Sequence, residues 1–522
     1  MNQKGHIPEL ALFYDFHTMP AIPDVGHGFD VERFTDRIAA CGVDYIVFPA
    51  RCNLGMAYYD TKVGIRHPSL EYDLFGKLAD ACQKRGIALS AYVNVGLSHE
   101  EALRHRDWAT LWPEGHTYKP DRLDHFFRTM CYNTPYGDHL LAMIREVASG
   151  YPIVGFMLDC INLYPCVGVE CVREMKEREV DWEDPVQLRE FAHFSRLRMA
   201  RRISDAVRAE IPDPLLYFNG IPYEDQEETG TYLELECLPT GGWGYEAFPL
   251  ASRYMRTLGK PLLNMTGRFH KSWGDFGGIR TEASLEYDCR NALATCMRPS
   301  IGGHMHPRGD INDAVFDLIE PIYARIRKLG PWTLGATPVT DVGLIHPAEY
   351  ATGIHPEKER RASEIMQGAT RMLCELNVQF DVLSFNRSWK GYKLLVLPDE
   401  LALDEAAAAK IRAHLDEGGA ILSSGWAGLD PDRNDSYFPI GALRLKATIR
   451  TIRPTTRRGS RLPAASPPCR TTFTARARRS RRSLRPRCWP PSCAPISIGT
   501  GMENTDISTC RPMPRRAGPR SH

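Results

Sequence analysis

A single carboxylate, Asp159, ends a short apolar segment and could do chemistry. The segment reads IVGFMLD over residues 153–159, and the loop after it closes at Pro165. A short apolar run bounded by turn signals is typical of a strand buried on both faces of a parallel sheet. In an α/β barrel the C-terminal end of such a strand faces the active site, where a carboxylate is costly to bury without a task. The alternative is an aspartate that caps the next helix or pairs with a core arginine.

Two further carboxylates, Glu234 and Glu236, lie two residues apart on a later apolar segment, so their side chains would point to the same side of a strand. Retaining glycoside hydrolysis uses two carboxyl groups about 5–5.5 Å apart, one attacking the sugar and the other protonating the leaving oxygen. We predict Asp159 as the nucleophile and Glu236 as the acid/base, with Glu234 supporting the site. Asp275 and Glu246, both in loops, are alternative proton donors.

Polar and aromatic side chains cluster where the other apolar segments end. Aromatic rings stack on the C–H faces of sugars, while planar polar groups bind hydroxyls, so we predict a substrate-binding set. Its members are His17, Arg51, Asn53, Tyr59, Tyr92, Asn94, Glu234, Trp243, Tyr245, Arg268, His270, Trp273, His304 and His306. Trp243 and Trp273 could equally pack loops, and His304 could be a hydrogen-bonded structural histidine.

Eight apolar segments alternate with amphipathic helices as far as residue 330. They span residues 10–16, 43–49, 87–95, 153–159, 215–219, 232–238, 261–265 and 300–304. Eight such units over this length indicate a (β/α)8 (TIM) barrel, which typically needs about 250 residues. A doubly wound open sheet is the alternative, but no G-x-G-x-x-G pattern follows the first strand.

The chain divides into three predicted regions. Residues 1–330 form the catalytic barrel. Residues 331–440 form a smaller flavodoxin-like α/β domain with helices over 357–376 and 404–417, which we expect to be truncated. Residues 441–522 form an Arg/Pro/Ser-rich tail without periodicity.

The tail differs from the rest of the chain in charge. From Arg450 onward there are 17 Arg, no Lys and two acidic residues, which leaves 48 basic and 62 acidic residues before it. When residues 496–510 are back-translated with codon degeneracy and the codons are read from one nucleotide earlier, they permit an aromatic-rich segment. We interpret the tail as a shifted reading frame beginning near residues 435–450, rather than as a basic nucleic-acid arm.

Composition narrows the class of protein. No apolar run is long enough for a membrane span, and the N-terminus lacks the apolar region of a signal peptide, so we expect a cytoplasmic protein without membrane or nucleic-acid partners. Most cysteines are single residues in apolar settings, as in reduced cytosolic proteins. Cys160, Cys166 and Cys171 cluster, but their C-x5-C-x4-C spacing is not a strong zinc pattern. We predict no metal and no cofactor.

Five segments resemble the hypothetical glycosyl hydrolase 6 family. They read DFHTMPAIPDVG, AYYDTKVGIRHPSL, LDC, LPTGGWGY and MTGRFHKSWGDFGG. That barrel occurs with a β-galactosidase-type trimerisation domain in bacterial α-L-fucosidases of glycoside hydrolase family 151, and the resemblance extends to about residue 435. It implies a carbohydrate substrate and a homotrimer if the second domain is intact.

The layout is also similar, remotely, to family 29 α-L-fucosidases. That resemblance implies that Asp159 is the nucleophile ending the fourth strand and that His17 binds sugar. The family's Lys-His-His run after the second strand is replaced here by ARCNLG, with Arg51 and Asn53. Family 42 β-galactosidases share the trimerisation domain but use Glu on the fourth strand, which Asp159 does not match.

These observations predict a retaining exo-glycoside hydrolase of small glycans or glycosides, α-L-fucosidase-like, acting by double displacement with an Asp nucleophile. Three alternatives are a non-catalytic carbohydrate-binding or inactivated homologue, a β-galactosidase-like hydrolase, and a metal-assisted hydrolase or isomerase using His17, Asp159, His304 and His306.

Overall fold

Eight parallel strands form a nearly closed barrel. The structure is a computed structural model that describes residues 8–117, 127–346 and 352–428. The strands are β1 Ala11–Asp15, β2 Tyr45–Arg51, β3 Ala88–Asn94, β4 Gly155–Asp159, β5 Leu215–Phe218, β6 Leu233–Glu236, β7 Leu262–Gly267 and β8 Arg298–His304. Their order is β5-β4-β3-β2-β1-β8-β7-β6. Across the remaining gap, the Thr231 N–H donates to the Leu216 carbonyl oxygen at 2.9 Å. The predicted TIM barrel and its eight strands are confirmed.

Helices surround the sheet and begin at the capping residues that the sequence offers. Asp30, Asp73, Asp184 and Thr281 each accept a hydrogen bond from a backbone N–H in the first helical turn, which satisfies a donor that the helix leaves unpaired. The helices are α1 Val31–Ala40, α2 Leu74–Lys84, α3 His99–Arg104, α4 Tyr136–Gly150, α5 Val169–Glu177, α6 Pro185–Glu210, α7 Ala247–Met255, α8 Glu282–Ala294, α9 Asp313–Arg327 and α10 Gly330–Thr333. Two short strands, Met56–Ala57 and Ile65–Arg66, extend β2 at its end.

Alternation along the strands decides which side chains enter the barrel. Phe13, Tyr92, Met157 and Tyr217 belong to one buried cluster with six further barrel residues. Because side chains on a strand alternate with a period of two, the residues two positions beyond these point to the same side at the barrel mouth. This parity brings Asp159 and its neighbours to one place.

A second, four-stranded parallel sheet follows the barrel. It contains β9 Val342–Ile345, β10 Phe380–Leu383, β11 Leu394–Leu397 and β12 Ala420–Ser423, with α11 Pro356–Glu375 and α12 Glu405–Asp416. The order β10-β9-β11-β12 is the beginning of a flavodoxin-like sheet. The predicted smaller α/β domain is thus confirmed, whereas the tail predicted for residues 441–522 lies outside the described residues.

The barrel helix α7 packs directly against the second sheet. Leu250 of α7 lies in a buried cluster with Leu344, Phe380 and Val382. Beside it, the Arg256 Nε donates to the Asp381 carboxylate at 2.6 Å, and both side chains are buried. Among the described helices, none is long and apolar enough to cross a membrane.

Candidate active site

Asp159 lies half-buried at the mouth of the barrel, where four donors contact its carboxylate. The Tyr92 hydroxyl donates to Oδ2 at 2.5 Å and the Asn94 Nδ2 donates to the same oxygen at 3.2 Å. The Cys160 thiol contacts Oδ2 as well, at 3.3 Å. These contacts follow from register, because Asn94 and Asp159 are partners in the β3–β4 pairing. Asp159 neither caps α5, whose N-cap is Gly168, nor pairs with a basic side chain in the described part of the chain.

Asn219 joins the two carboxyl groups that the sequence singled out. Its Nδ2 donates to Asp159 Oδ1 at 2.9 Å and to Glu236 Oε2 at 3.4 Å. The two oxygens are therefore no farther apart than the sum of these distances, about 6.3 Å. Carboxyl groups of inverting glycosidases stand about 6.5–9.5 Å apart, and those of retaining enzymes about 5–5.5 Å. This upper limit for the two oxygens lies below the inverting range and above the retaining range.

Glu236 has a carboxyl group that titrates near neutral pH. Burial raises the pKa of its carboxyl group to about 7, and the negative charge of Asp159 adds to the rise. The opposing contributions come from the Trp273 indole N–H, which donates to Oε1 at 2.9 Å, and from Asn219. A carboxyl group with this pKa can donate a proton at the pH of a cell.

Glu234 lies deeper in the barrel, with only 1% of its surface exposed. Burial and the nearby Glu236 raise its pKa to about 8. The Tyr232 hydroxyl lies 3.5 Å from Oε2. Glu234 therefore adds a second carboxyl group with a raised pKa beneath Glu236 and is less accessible to a ligand.

His17 and Asp15 form an ion pair at the end of β1. The imidazole Nε2 contacts the Asp15 carboxylate, and Nδ1 lies 3.4 Å from the backbone nitrogen of Asn53. Burial opposes protonation of His17, but Asp15 outweighs it and raises the pKa of the imidazole to about 10. The ring lies 5.7 Å from that of Tyr92, so a protonated histidine stands beside the Asp159 cluster. The Asn53 Oδ1 is buried and receives no hydrogen bond from the described residues.

Arg51 and Tyr59 are placed away from the barrel mouth. Arg51 is 1% exposed and donates to Glu101 Oε2 at 2.7 Å and to the backbone carbonyl of Asn94. Tyr59 is equally buried and donates to Glu146 on α4 at 3.2 Å. Arg51 thus positions the loop after β3, and Tyr59 packs the helical layer.

Arg268 and His304 lie together on the β7–β8 side of the mouth. Arg268 is buried and donates to the backbone carbonyls of Gly278 and Phe276 at 2.6 and 3.0 Å, and its Nη2 lies 3.3 Å from His304 Nδ1. Burial lowers the pKa of His304, which keeps the ring neutral. Its Nε2 is buried and finds no partner among the described residues. Trp273 packs edge-on against this ring at 5.8 Å, so Trp273 links His304 to Glu236.

The remaining predicted substrate contacts lie at the rim. Trp243 and Tyr245 are 42% and 49% exposed in the loop after β6, and the Tyr245 ring packs against Tyr287. His270 and His306 are exposed as well. His306 lies 3.5 Å from Asp310. Among the described residues, no three of His17, Asp159, His304 and His306 come close enough together to hold one metal ion.

The two alternative proton donors serve other contacts. Asp275 accepts hydrogen bonds from the backbone N–H groups of His270 and Lys271, both at 3.1 Å, and so closes its own loop. Glu246 pairs with Arg371 of the second domain at 3.2 Å. Asn219 is the last residue of the predicted strand segment 215–219, and the sequence predicted no further role for it. Its hydrogen bonds to both Asp159 and Glu236 depend on how three strands are spaced in the barrel, and no local sequence pattern predicts that spacing.

The comparisons with known proteins agree with this architecture. Residues 30–160 match the family described as hypothetical glycosyl hydrolase 6, and residues 342–450 match the β-galactosidase trimerisation domain. The sequence resemblance is thereby confirmed at the level of these two domains. No curated protein matches the chain.

Solved structures extend the likeness over most of the chain. α-L-Fucosidase isoenzyme 2 from Paenibacillus thiaminolyticus is 29% identical, with a TM-score of 0.77 over 83% of this chain; the match spans 66% of that protein, just under two thirds of its length. β-Galactosidases from Rahnella sp. R3 and Bacillus circulans sp. alkalophilus are 13% and 15% identical, with TM-scores of 0.64 and 0.61. These two matches cover 83% and 80% of this chain and 73% of each β-galactosidase, and they show a shared fold.

Proposed function

We propose that the chain is a retaining glycoside hydrolase that releases terminal α-L-fucose or a closely similar sugar. The observation that carries this proposal is that the Asn219 amide contacts the carboxyl groups of both Asp159 and Glu236 at the barrel mouth. Asp159 is contacted by several donors, whereas burial raises the pKa of Glu236. A carboxyl group with a raised pKa is suited to donate a proton, and a second carboxyl group in contact with the same amide can attack the sugar.

Each residue then has a defined part in the double displacement. Glu236 gives its proton to the departing oxygen while Asp159 attacks the anomeric carbon and forms a glycosyl ester. Glu236, now ionised, takes a proton from water, which attacks the same carbon and releases Asp159. Because both displacements invert the carbon, the product retains its configuration. The Tyr92, Asn94 and Asn219 donors hold the Asp159 carboxylate at the reacting centre.

The choice of α-L-fucose as the sugar is supported by the proteins that this chain resembles. The solved structure with 29% identity is an α-L-fucosidase, and the barrel segment belongs to a glycosyl hydrolase family. The protonated His17 beside Tyr92 fits a hydroxyl-binding role, as does His304 with its unpartnered Nε2, while the Trp273 ring can stack on the sugar. The segment matching the trimerisation domain supports a homotrimer.

A panel of aryl glycosides, including α-L-fucoside and β-D-galactoside, tests the proposal. Asp159→Asn should abolish release of the aryl group while the circular dichroism spectrum is unchanged. With the wild-type protein, NMR of the sugar first released should show that the anomeric configuration is retained. Glu246→Gln is a matched control, since this exposed carboxylate pairs with Arg371 and should leave turnover intact. Near-normal kcat in Asp159→Asn would refute the nucleophile, and release from another sugar alone would correct the substrate.

A further inference from the structure

Three buried cysteines from two different loops and a helix meet beside the barrel. Cys131 lies in the segment before α4, Cys166 in the loop after β4, and Cys171 in the first turn of α5. Their sulfur atoms all lie within 4.8 Å of one another, and the Cys131 and Cys171 sulfurs are 3.4 Å apart. The sequence suggested Cys160 as the partner of Cys166 and Cys171, but Cys160 contacts Asp159 instead. The third cysteine comes from 35 residues before Cys166.

The surroundings of this cluster are suited to a thiophilic ion. The sulfurs lie in an apolar cluster with Met175, Leu188 and Phe191. The Cys171 and Cys166 sulfurs accept contacts from Asn133 Nδ2 at 3.2 Å and from the Gly168 N–H at 3.4 Å. Such donors stabilise negative charge on sulfur, as outer contacts of metal thiolates do. A cavity of about 10 Å³ is lined by all three cysteines, which is close to the room that one water molecule needs.

We propose that Cys131, Cys166 and Cys171 bind one Zn²⁺ ion as a structural metal centre. Zinc–sulfur bonds are about 2.3 Å long in tetrahedral sites, which requires sulfurs about 3.8 Å apart by simple geometry, within the spread observed here. A water molecule would supply the fourth ligand. On binding, the thiols release their protons to solvent and each sulfur donates an electron pair to the ion, with no change of oxidation state.

The centre would fasten the loop that follows the candidate nucleophile. Tyr132, next to Cys131, and Tyr164, two residues before Cys166, direct their hydroxyls at the Cys160 carbonyl oxygen at 3.4 and 2.9 Å. Cys160 adopts a left-handed backbone conformation, with φ of 57°, which costs energy for a residue other than glycine. A metal joining these segments would therefore hold the strained residue directly after Asp159.

Elemental analysis of the full chain tests the proposal, with Zn²⁺ supplied during expression and a weak chelator present during purification. We expect one zinc per chain. Cys131→Ser, Cys166→Ser and Cys171→Ser should each weaken zinc binding by about 100-fold or more, since even outer contacts of metal ligands are worth about 10–100-fold. Two controls should keep the metal: Cys82→Ser, a buried cysteine on α2, and replacement of Cys469, Cys488, Cys493 and Cys510 in the C-terminal region.

A second measurement works even if the serine variants fail to fold. Wild-type protein stripped of metal and titrated with Co²⁺ should develop a thiolate-to-cobalt charge-transfer band that Zn²⁺ abolishes, and added Zn²⁺ should raise its melting temperature. The proposal is overturned if wild-type protein retains no zinc and shows no such band, or if zinc is lost in the C-terminal replacement. A Cys131–Cys171 disulfide in the protein isolated without reductant would also overturn it.

Discussion

The hydrogen bond from Trp273 opposes the rise that burial causes in the pKa of Glu236. Replacement of Trp273 by Phe therefore gives a quantitative test of the acid assignment. The indole N–H donates to Glu236 Oε1 at 2.9 Å, and the ring packs edge-on against Phe13 at 5.1 Å. Phenylalanine keeps an aromatic ring against Phe13 but removes the donor. A hydrogen bond to a charged group contributes about 1.5–3 kcal/mol, and one pKa unit corresponds to about 1.36 kcal/mol.

Water can replace part of the lost bond, because Trp273 and Glu236 are only half-buried. We therefore expect the low end of this range, a rise of about one pKa unit from the value of about 7. A general acid must be protonated in the free enzyme, so the alkaline limb of the kcat/KM profile should move up by about one pH unit. The profile is measured with an aryl α-L-fucoside over the alkaline range.

The matched control is Trp243→Phe, which makes the same chemical change on an exposed loop residue. It should leave the alkaline limb in place, whatever its effect on the rate. An alkaline limb that stays at the wild-type position in Trp273→Phe, or moves to lower pH, would refute Glu236 as the acid. An equal displacement in both variants would show that the limb reports something other than this hydrogen bond.

Two further predictions concern stability. Arg51→Met should lower the free energy of unfolding by about 3 kcal/mol, measured by urea denaturation, because the buried Glu101 carboxylate loses its guanidinium partner and retains the contact with His139 at 2.7 Å. Adding Glu101→Gln should recover part of the loss, and a single-variant loss below about 1 kcal/mol would contradict the buried pair. The pKa of His17 is raised to about 10 by its pairing with Asp15. This pairing stabilises the fold fully below the ordinary histidine pKa of about 6.5, and the stabilisation is lost as pH rises toward 10. Asp15→Asn should therefore flatten the fall in melting temperature across that window, and an unchanged slope would refute the pairing.

The barrel could be predicted because its signals are local. Each predicted strand is an apolar run bounded by turns, and helices begin at residues such as Asp30 and Thr281 that cap them in the structure. Parity along single strands also predicted that Asp159 and Glu236 would face the mouth. These properties follow from covalent geometry and burial, which act over a few neighbouring residues.

The position of each polar side chain within the fold could not be predicted in the same way. Arg51 follows the second strand as a sugar-binding residue would, but its guanidinium is turned into a buried ion pair with Glu101. Trp243 and Trp273 look alike in sequence, although only Trp273 donates to a carboxylate in the described residues. A strand-end position specifies which end of the barrel a residue occupies, and does not specify its rotamer or partner.

The sequence by itself determined the two-domain α/β architecture, the resemblance to a glycosyl hydrolase family and the carboxylate at the end of the fourth strand. Only the tertiary structure decided that Asn219 lies between Asp159 and Glu236, and that Cys131 replaces Cys160 beside Cys166 and Cys171. The physical reason is distance along the chain. Contacts between residues tens of positions apart depend on how strands and loops pack in three dimensions, and spacing in the sequence carries no record of that packing.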